Sequence, residues 1–348
     1  MLMEIKKPLL ATLGQFFKLL KQYTNKNALL FALGIGLSLA IASCTASNSA
    51  NPSATGTSSE PIRIGFQKYG TLSIVRAQGN LEKRLAESGV TVQWLEFPAG
   101  PPLLEALNAG SIDFGHTGET PPIFAQAAGA PLVYVGSEPP APKAEAILVS
   151  QDSPIKSVAD LKGRRIVFAK GSNVHYLVVQ ALASVGLKLS DVQATYLLPA
   201  DARAAFQSGN ADAWGIWDPF LAVAQKDLDA RILTDGEGLV ANREFYLAAQ
   251  NFANQRSDQL QLILDEIQQV DKWAASRPNE VAQLLSPLIG IDVQTLETVA
   301  RRRPYGLQPI TAEVVTYQQS IADTFYGQKL IPKQISVKDV TGYQNNQG

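Results

Sequence analysis

Ile112-Asp113-Phe114-Gly115-His116-Thr117-Gly118-Glu119-Thr120-Pro121-Pro122-Ile123-Phe124-Ala125-Gln126-Ala127-Ala128-Gly129 is the stretch that decides the fold. The apolar run Ile112–Gly115 predicts a short buried strand. Thr120-Pro121-Pro122 predicts a helix start, because Thr is a favoured N-cap and proline is pre-set for the first helical position. That helix runs through Ala128, and Leu132-Val133-Tyr134-Val135 follows as a strand. A strand, a helix and a strand in this order imply a mostly parallel sheet with helices on its faces.

The same alternation continues in both directions. Upstream, Ile62–Phe66 and Val90–Leu95 read as strands, with a helical stretch between them to Ser88, and Leu103–Ala109 as a helix stopped by Gly110. Downstream, Glu138-Pro139-Pro140-Ala141-Pro142 interrupts the pattern and a second series begins. It has strands at Ala146–Val149, Arg165–Phe168, Thr195–Leu197 and Ala213–Ile216, and helices at Asn173–Val185 and Ala200–Gln207. Ser157-Val158-Ala159-Asp160 has the spacing of a capping box. A last strand is expected at Phe245–Ala249, and beyond Asn251 the pattern is helical, with Leu260, Leu262, Ile263, Ile267, Val270 and Trp273 on one face. The roughly 280 residues after Pro61 exceed one comfortable core. Two lobes are therefore expected, residues 61–143 with 250–340 and residues 144–249, joined by crossings near 140–146 and 245–252.

The first 43 residues read as an address. Lys6, Lys7, Lys18, Lys21 and Lys26 precede an apolar run from Ala28 to Ala42, short of the roughly 20 residues that span a bilayer. Ile41-Ala42-Ser43-Cys44 resembles the bacterial lipobox, which implies removal of residues 1–43 and a lipid anchor on Cys44 in the periplasm. Residues 44–60 read as a flexible tether with a reach of roughly 20–24 Å. Cys44 is the only cysteine, so no disulfide forms within the chain. The chain of 348 residues carries a net charge of −1, and five Lys and one Glu in the first 43 leave the remainder at −5. That balance argues against nucleic acid as a partner. Two His and one Cys leave little for a metal site or a thiol nucleophile. No catalytic residue, metal ligand or cofactor is predicted.

In open α/β sheets ligands sit beyond the carboxyl ends of strands, where helices begin. Two such turns stand out, His116–Pro122 and Lys170-Gly171-Ser172-Asn173-Val174-His175. Each has a hydroxyl, a glycine and the unpaired N–H groups of a helix start, which favour an anion. Either turn alone is no more than a capped helix. One in each lobe points to a small oxyanion clamped between them.

Several stretches resemble the aliphatic sulfonate-binding proteins of ABC importers. They are Gln67-Lys68, Glu96–Pro101, Thr117-Gly118-Glu119, Pro121–Ala130, Leu161-Lys162-Gly163, Pro199–Phe206 and Ala213-Trp214-Gly215-Ile216-Trp217-Asp218-Pro219. The resemblance covers roughly residues 61–335 and implies a type II periplasmic-binding fold, α/β with two lobes, mostly parallel sheets and a hinge cleft. It further implies a monomer that captures an alkanesulfonate for a membrane permease. By that resemblance Gln67, Thr117, Gly118, Glu119, Ser172, Asn173, Trp217 and Asp218 line the cleft. Taurine, nitrate or another small oxyanion is the alternative ligand, and an enzyme on the same fold is the alternative class. Two departures bear on the ligand's tail: His116 stands where a small Ser is common, and Tyr69 where a smaller residue is expected.

The carboxylates are read separately. Glu119 is explained by the helix dipole, and Asp218 either caps the helix after it or meets the ligand. Trp217 covers an apolar chain or packs in the core. His116 and His175 are read as structural, Arg203 as a surface ion-pair residue, and Arg301-Arg302-Arg303 as a solvated helix end.

Overall fold

The computed structural model describes residues 60–342, so the address segment, Cys44 and nearly all of the tether lie outside the described residues. β1 (Ile62–Gln67) buries Ile62, Ile64, Gly65 and Phe66, as a strand covered on both faces must. α1 (Thr71–Gln78) and α2 (Asn80–Ala86) lead to β2 (Val92–Phe97), which pairs with β1 in parallel. α3 (Gly100–Asn108) precedes β3 (Phe114–Gly118), all five of whose residues are buried. α4 (Pro121–Ala128) leads to β4 (Leu132–Ser137). Gly65 and Gly115 let α3 lie against the sheet: a Cβ at either would come within 3.1 Å of Leu103 side-chain atoms.

The second series runs β5 (Glu145–Ser150), β6 (Arg165–Phe168), α5 (Asn173–Ser184), β7 (Gln193–Tyr196), α6 (Pro199–Gln207), β8 (Ala213–Trp217), α7 (Phe220–Asp227) and β9 (Ala230–Asp235). β10 (Glu244–Ala249) then opens a helical tail of α8 (Gln250–Gln255), α9 (Ser257–Ala274), α10 (Pro278–Ile289), α11 (Val293–Arg302) and α12 (Ala312–Gly327). Two five-stranded sheets result, ordered β2-β1-β3-β10-β4 and β7-β6-β8-β5-β9. In each, the fourth strand, β10 or β5, is antiparallel to its neighbours. These are the strands entered from the crossings. The fold is α/β with two mixed sheets, the type II periplasmic-binding arrangement.

Two boundaries differ from the sequence reading. Glu244–Ala249 lies in the first sheet, not the second, so the second crossing is residues 236–243 rather than 245–252. An apolar run reports that a strand is buried, not which sheet receives it. The tail also divides. Leu260, Ile263, Leu264, Ile267 and Val270 of α9 pack in the first core, at about 1.5–3 kcal/mol for each fully buried side chain. Ile321, Ala322 and Phe325 of α12 pack instead with Val174, Leu177 and Val178 of α5, in the core of the second lobe. The same core takes in Ile123 and Ala127 of α4, so α12 bridges the lobes. The Ser157–Asp160 box is present, with the Asp160 carboxylate accepting from Ser157 N at 2.9 Å and Ser157 Oγ at 3.0 Å.

Candidate ligand-binding cleft

The carboxyl ends of β1, β3, β6 and β8 converge between the lobes around a cavity of about 50 Å³. A water needs on the order of 10–15 Å³, so the space suits a group of several heavy atoms. Gln67, Gly118, Ser172, Asn173, Trp217 and Asp218, all expected from the sequence, line it. Thr117 and Glu119 do not, although both are fully buried.

Their side chains are committed elsewhere. The Thr117 hydroxyl donates to Gly118 O at 3.0 Å. The Glu119 carboxylate reaches the second crossing and accepts from Asn242 N at 3.2 Å and Arg243 N at 2.9 Å. Burial pushes Glu119 up to about 7, against the lowering effect of those two N–H donors. Its dipole reading is thus replaced by a hinge contact: the carboxylate ties α4's approach to the crossing.

The two helix starts prove unequal. Thr120 makes no capping hydrogen bond and its Oγ1 is buried without a partner. α4 then opens with Pro121 and Pro122, neither of which carries an N–H. α5 is different. Its flanking Ser172 donates its hydroxyl to Ala169 O at 2.7 Å instead of accepting from the helix. The N–H groups of Asn173 and Val174 have no acceptor among the described residues. Of these two residues Asn173 lines the cavity and Val174 lies in the core, so one helix start, not two, brings a free backbone donor to the cavity's wall.

Asn173 also joins the lobes. Its Oδ1 accepts from Thr120 N at 3.2 Å, and its Nδ2 donates to Asn242 Oδ1 at 2.6 Å. Asn242 Nδ2 donates in turn to Ala141 O of the first crossing at 2.8 Å. The contact requires glycine opposite: a Cβ on Gly118 would fall 1.9 Å from Asn173 Nδ2. This is a closed cleft, in which the paired amides of Asn173 and Asn242 link both lobes and both crossings.

Asp218 caps α7 by accepting from Ala222 N at 3.1 Å, and it pairs with Arg302 Nη1 at 3.2 Å. Burial raises it to about 6 even so, with Arg302 pulling the other way. Trp217 lines the cavity and meets Phe220 edge-on at 6.3 Å, so it serves wall and core together. Arg203 pairs with Asp227 at the surface. His175 accepts from Gly171 N at Nδ1, 3.1 Å, inside a cage of Phe124, Phe168, Tyr196 and Phe325. Burial and the charge of Lys170 hold it down at about 3, so it is a neutral support for the Gly171–Ser172 turn.

Among the polar lining residues, the sequence reading named Tyr69 only as bearing on the ligand's tail and did not assign Asn242, Glu244 or Arg303 to the cleft. The solvated helix end assigned to Arg301–Arg303 holds for Arg301 only. Arg303 is buried and pairs with Glu138 Oε2 at 2.5 Å, while its Nη1 stands 3.9 Å from Glu244 Oε1. Glu138 also accepts from Tyr246 OH, and the Thr71 hydroxyl lies between Glu138 Oε1 (3.1 Å) and Asp271 Oδ1 (2.7 Å). Arg303 is therefore the cation among three buried or half-buried carboxylates.

Comparison with known proteins gives the family and the fold. The NMT1/THI5-like family model matches residues 85–281. The chain belongs to that family. Over 288 residues it is 48 % identical to an aliphatic sulfonates-binding protein of Escherichia coli (strain K12), covering 82 % of this chain and 89 % of that protein. Among solved structures, the alkanesulfonate-binding protein SsuA of Xanthomonas axonopodis pv. citri, bound to MOPS, superposes with a TM-score of 0.77 at 43 % identity, covering 81 % of this chain and 97 % of that one. The periplasmic aliphatic sulphonate binding protein SsuA of Escherichia coli gives 0.74 at 47 % identity, covering 84 % and 94 %. This NMT1/THI5-like chain places its cavity where the strand ends of its two sheets face each other. Among the described residues no cluster of His, Cys, Asp and Glu could hold a metal, and no helix is long and apolar enough to cross a membrane.

Proposed function

We propose that the protein is an extracytoplasmic solute-binding component of an ABC importer, that it captures a small aliphatic sulfonate between its lobes, and that it performs no catalysis. The observation that carries the ligand class is the start of α5, where Ser172 and Asn173 line a cavity sized for a few heavy atoms and the Asn173 N–H has no acceptor among the described residues. A sulfonate has three acceptor oxygens, no donor, and stays ionised at every relevant pH, so fixed N–H donors at the positive end of a helix suit it. The likeness to aliphatic sulfonate-binding proteins narrows oxyanion to sulfonate. Gln67, Gly118, Ser172, Asn173, Trp217 and Asp218 are its proposed contacts or walls, with Thr117 and Glu119 acting behind them. Closure across the Asn173 bridge gives the permease a form to recognise that differs from the open one.

Calorimetric titration with ethanesulfonate, longer alkanesulfonates, sulfate and nitrate tests the ligand. Sulfonates should bind, and stabilisation by nitrate alone would remove the assignment. Lipid tethering through Cys44 in the periplasm, after removal of residues 1–43, is the accompanying proposal. Labelling with a radioactive lipid precursor should mark the wild type and not Cys44→Ala. Equal labelling of both would show that the anchor lies elsewhere or does not exist.

A further inference from the structure

The cavity continues past Gln67 and Trp217 into a second space of about 30 Å³, lined in part by Lys68, Pro98, His116 and Phe220. The two spaces share Gln67, Tyr69, Trp217, Asp218, Glu244 and Arg303. If a sulfonate head sits at the start of α5, its tail points into this shared region. The region is short and polar. Tyr69 OH lies 2.9 Å from Tyr305 OH and narrows it. His116 lines only the second space, and Tyr69 lines both.

The charged groups there are not equally committed. Both Asp218 oxygens face Arg302, and one also accepts from Ala222 N. Arg303 is held by Glu138. Glu244 Oε2 accepts from His116 Nδ1–H at 3.1 Å, a tautomer consistent with His116 Nε2 lying 3.5 Å from Gln67 N. Glu244 Oε1 has no hydrogen-bond donor among the described residues; its nearest cation, Arg303 Nη1, is 3.9 Å away. The side chain keeps 20 % of its surface open, and it lines both spaces. An alkyl tail placed against that oxygen strips its water and returns nothing. A tail ending in an N–H or O–H donor restores the bond, and an ammonium also answers the charge.

We infer that Glu244, oriented by His116, is a specificity-determining residue that selects short sulfonates whose tail ends in an ammonium or hydroxyl over plain alkanesulfonates. The inference rests on the sulfonate reading above and names the tail that reading leaves open. Sites built to hydrogen-bond a donor discriminate strongly against an analogue lacking it, because the buried acceptor is then left bare.

The test pairs 2-aminoethanesulfonate with propanesulfonate, which puts a methyl where the ammonium stands, on the full chain by calorimetry. Wild type should prefer 2-aminoethanesulfonate at least tenfold. In Glu244→Gln that preference should fall below threefold, through weaker 2-aminoethanesulfonate binding, tighter propanesulfonate binding, or both. A wild-type preference for propanesulfonate overturns the inference and leaves sulfonate capture standing. So does a tenfold preference that Glu244→Gln does not move. Binding of neither compound, with the protein folded by thermal melting, removes the sulfonate reading and this inference with it. Should Glu244→Gln not fold, the wild-type ratio alone decides, with 2-hydroxyethanesulfonate as the second donor-bearing probe.

Discussion

Gly118→Ala should open the cleft without unfolding the protein. Gly118 ends β3 with a φ outside the left-handed region, so alanine fits its backbone. The added Cβ, however, would lie 1.9 Å from Asn173 Nδ2 and 2.2 Å from its Cγ and Oδ1. No rotamer adjustment of a few tenths of an ångström relieves that. Asn173 must leave, and with it go the bonds from Thr120 N and to Asn242 Oδ1. Each buried bond is worth about 0.5–1.5 kcal/mol net, and a buried polar group left unpaired costs about 1–3 kcal/mol. The closed state should therefore lose about 2–4 kcal/mol relative to the open one. At 1.4 kcal/mol per decade this weakens sulfonate affinity roughly 30- to 700-fold. The loss belongs to closure, so the melting temperature of the ligand-free protein should stay within a few degrees of wild type. Calorimetry gives the affinity, and small-angle scattering at saturating sulfonate should show a variant more open than wild type. Affinity within threefold of wild type would refute the reasoning, because the lobes would then close without the Asn173 bridge.

Three further outcomes follow from the same geometry. Ser172→Ala should weaken sulfonate binding by about 1 kcal/mol, measured by titration, because Ser172 lines the cavity, whereas Thr117→Ala, which lies off it, should leave binding within threefold. Arg303→Met removes the cation from Glu138, Glu244 and Asp271 and should cost about 3–5 kcal/mol in urea denaturation, against less than about 0.5 kcal/mol for exposed Arg301→Ala. Glu119 has a folded pKa of about 7, raised by burial above an unfolded value of about 4.3, so the folded state holds the proton more tightly. Its contribution is then fully present below pH 4.3 and is lost as pH rises to 7 and above. The expected loss is about 3–4 kcal/mol at most, and the stability of Glu119→Gln should fall less steeply than that of wild type between pH 5 and 8; parallel curves would exclude Glu119 as the source.

The limits of what the sequence could reveal are physical, and particular residues show them. Periodicity and turn chemistry made the strand-to-helix turns readable and so placed Ser172 and Asn173 where a cleft could form, while Gln67 and Asp218 came from the family resemblance. They carry local information, and the cleft is largely non-local. Arg303 follows α11, yet its partner Glu138 is 165 residues away, and a cluster of three arginines reads the same whether one of them is buried or none. Glu244 was assigned to the wrong lobe because β10 inserts between β3 and β4, and nothing in Phe245–Ala249 records which sheet accepts it. The turn His116–Pro122 shows the reverse case, in which the local signal was present but misweighed. Pro121 and Pro122 do pre-set a helix start, but the feature that makes proline favourable there, its missing N–H, also empties that helix end of donors. A proline-led helix can therefore shape an anion site as a wall, while the free N–H groups must come from the helix facing it. Here that is α5, whose first residue, Asn173, both carries one of those N–H groups and supplies the amide that holds the lobes closed.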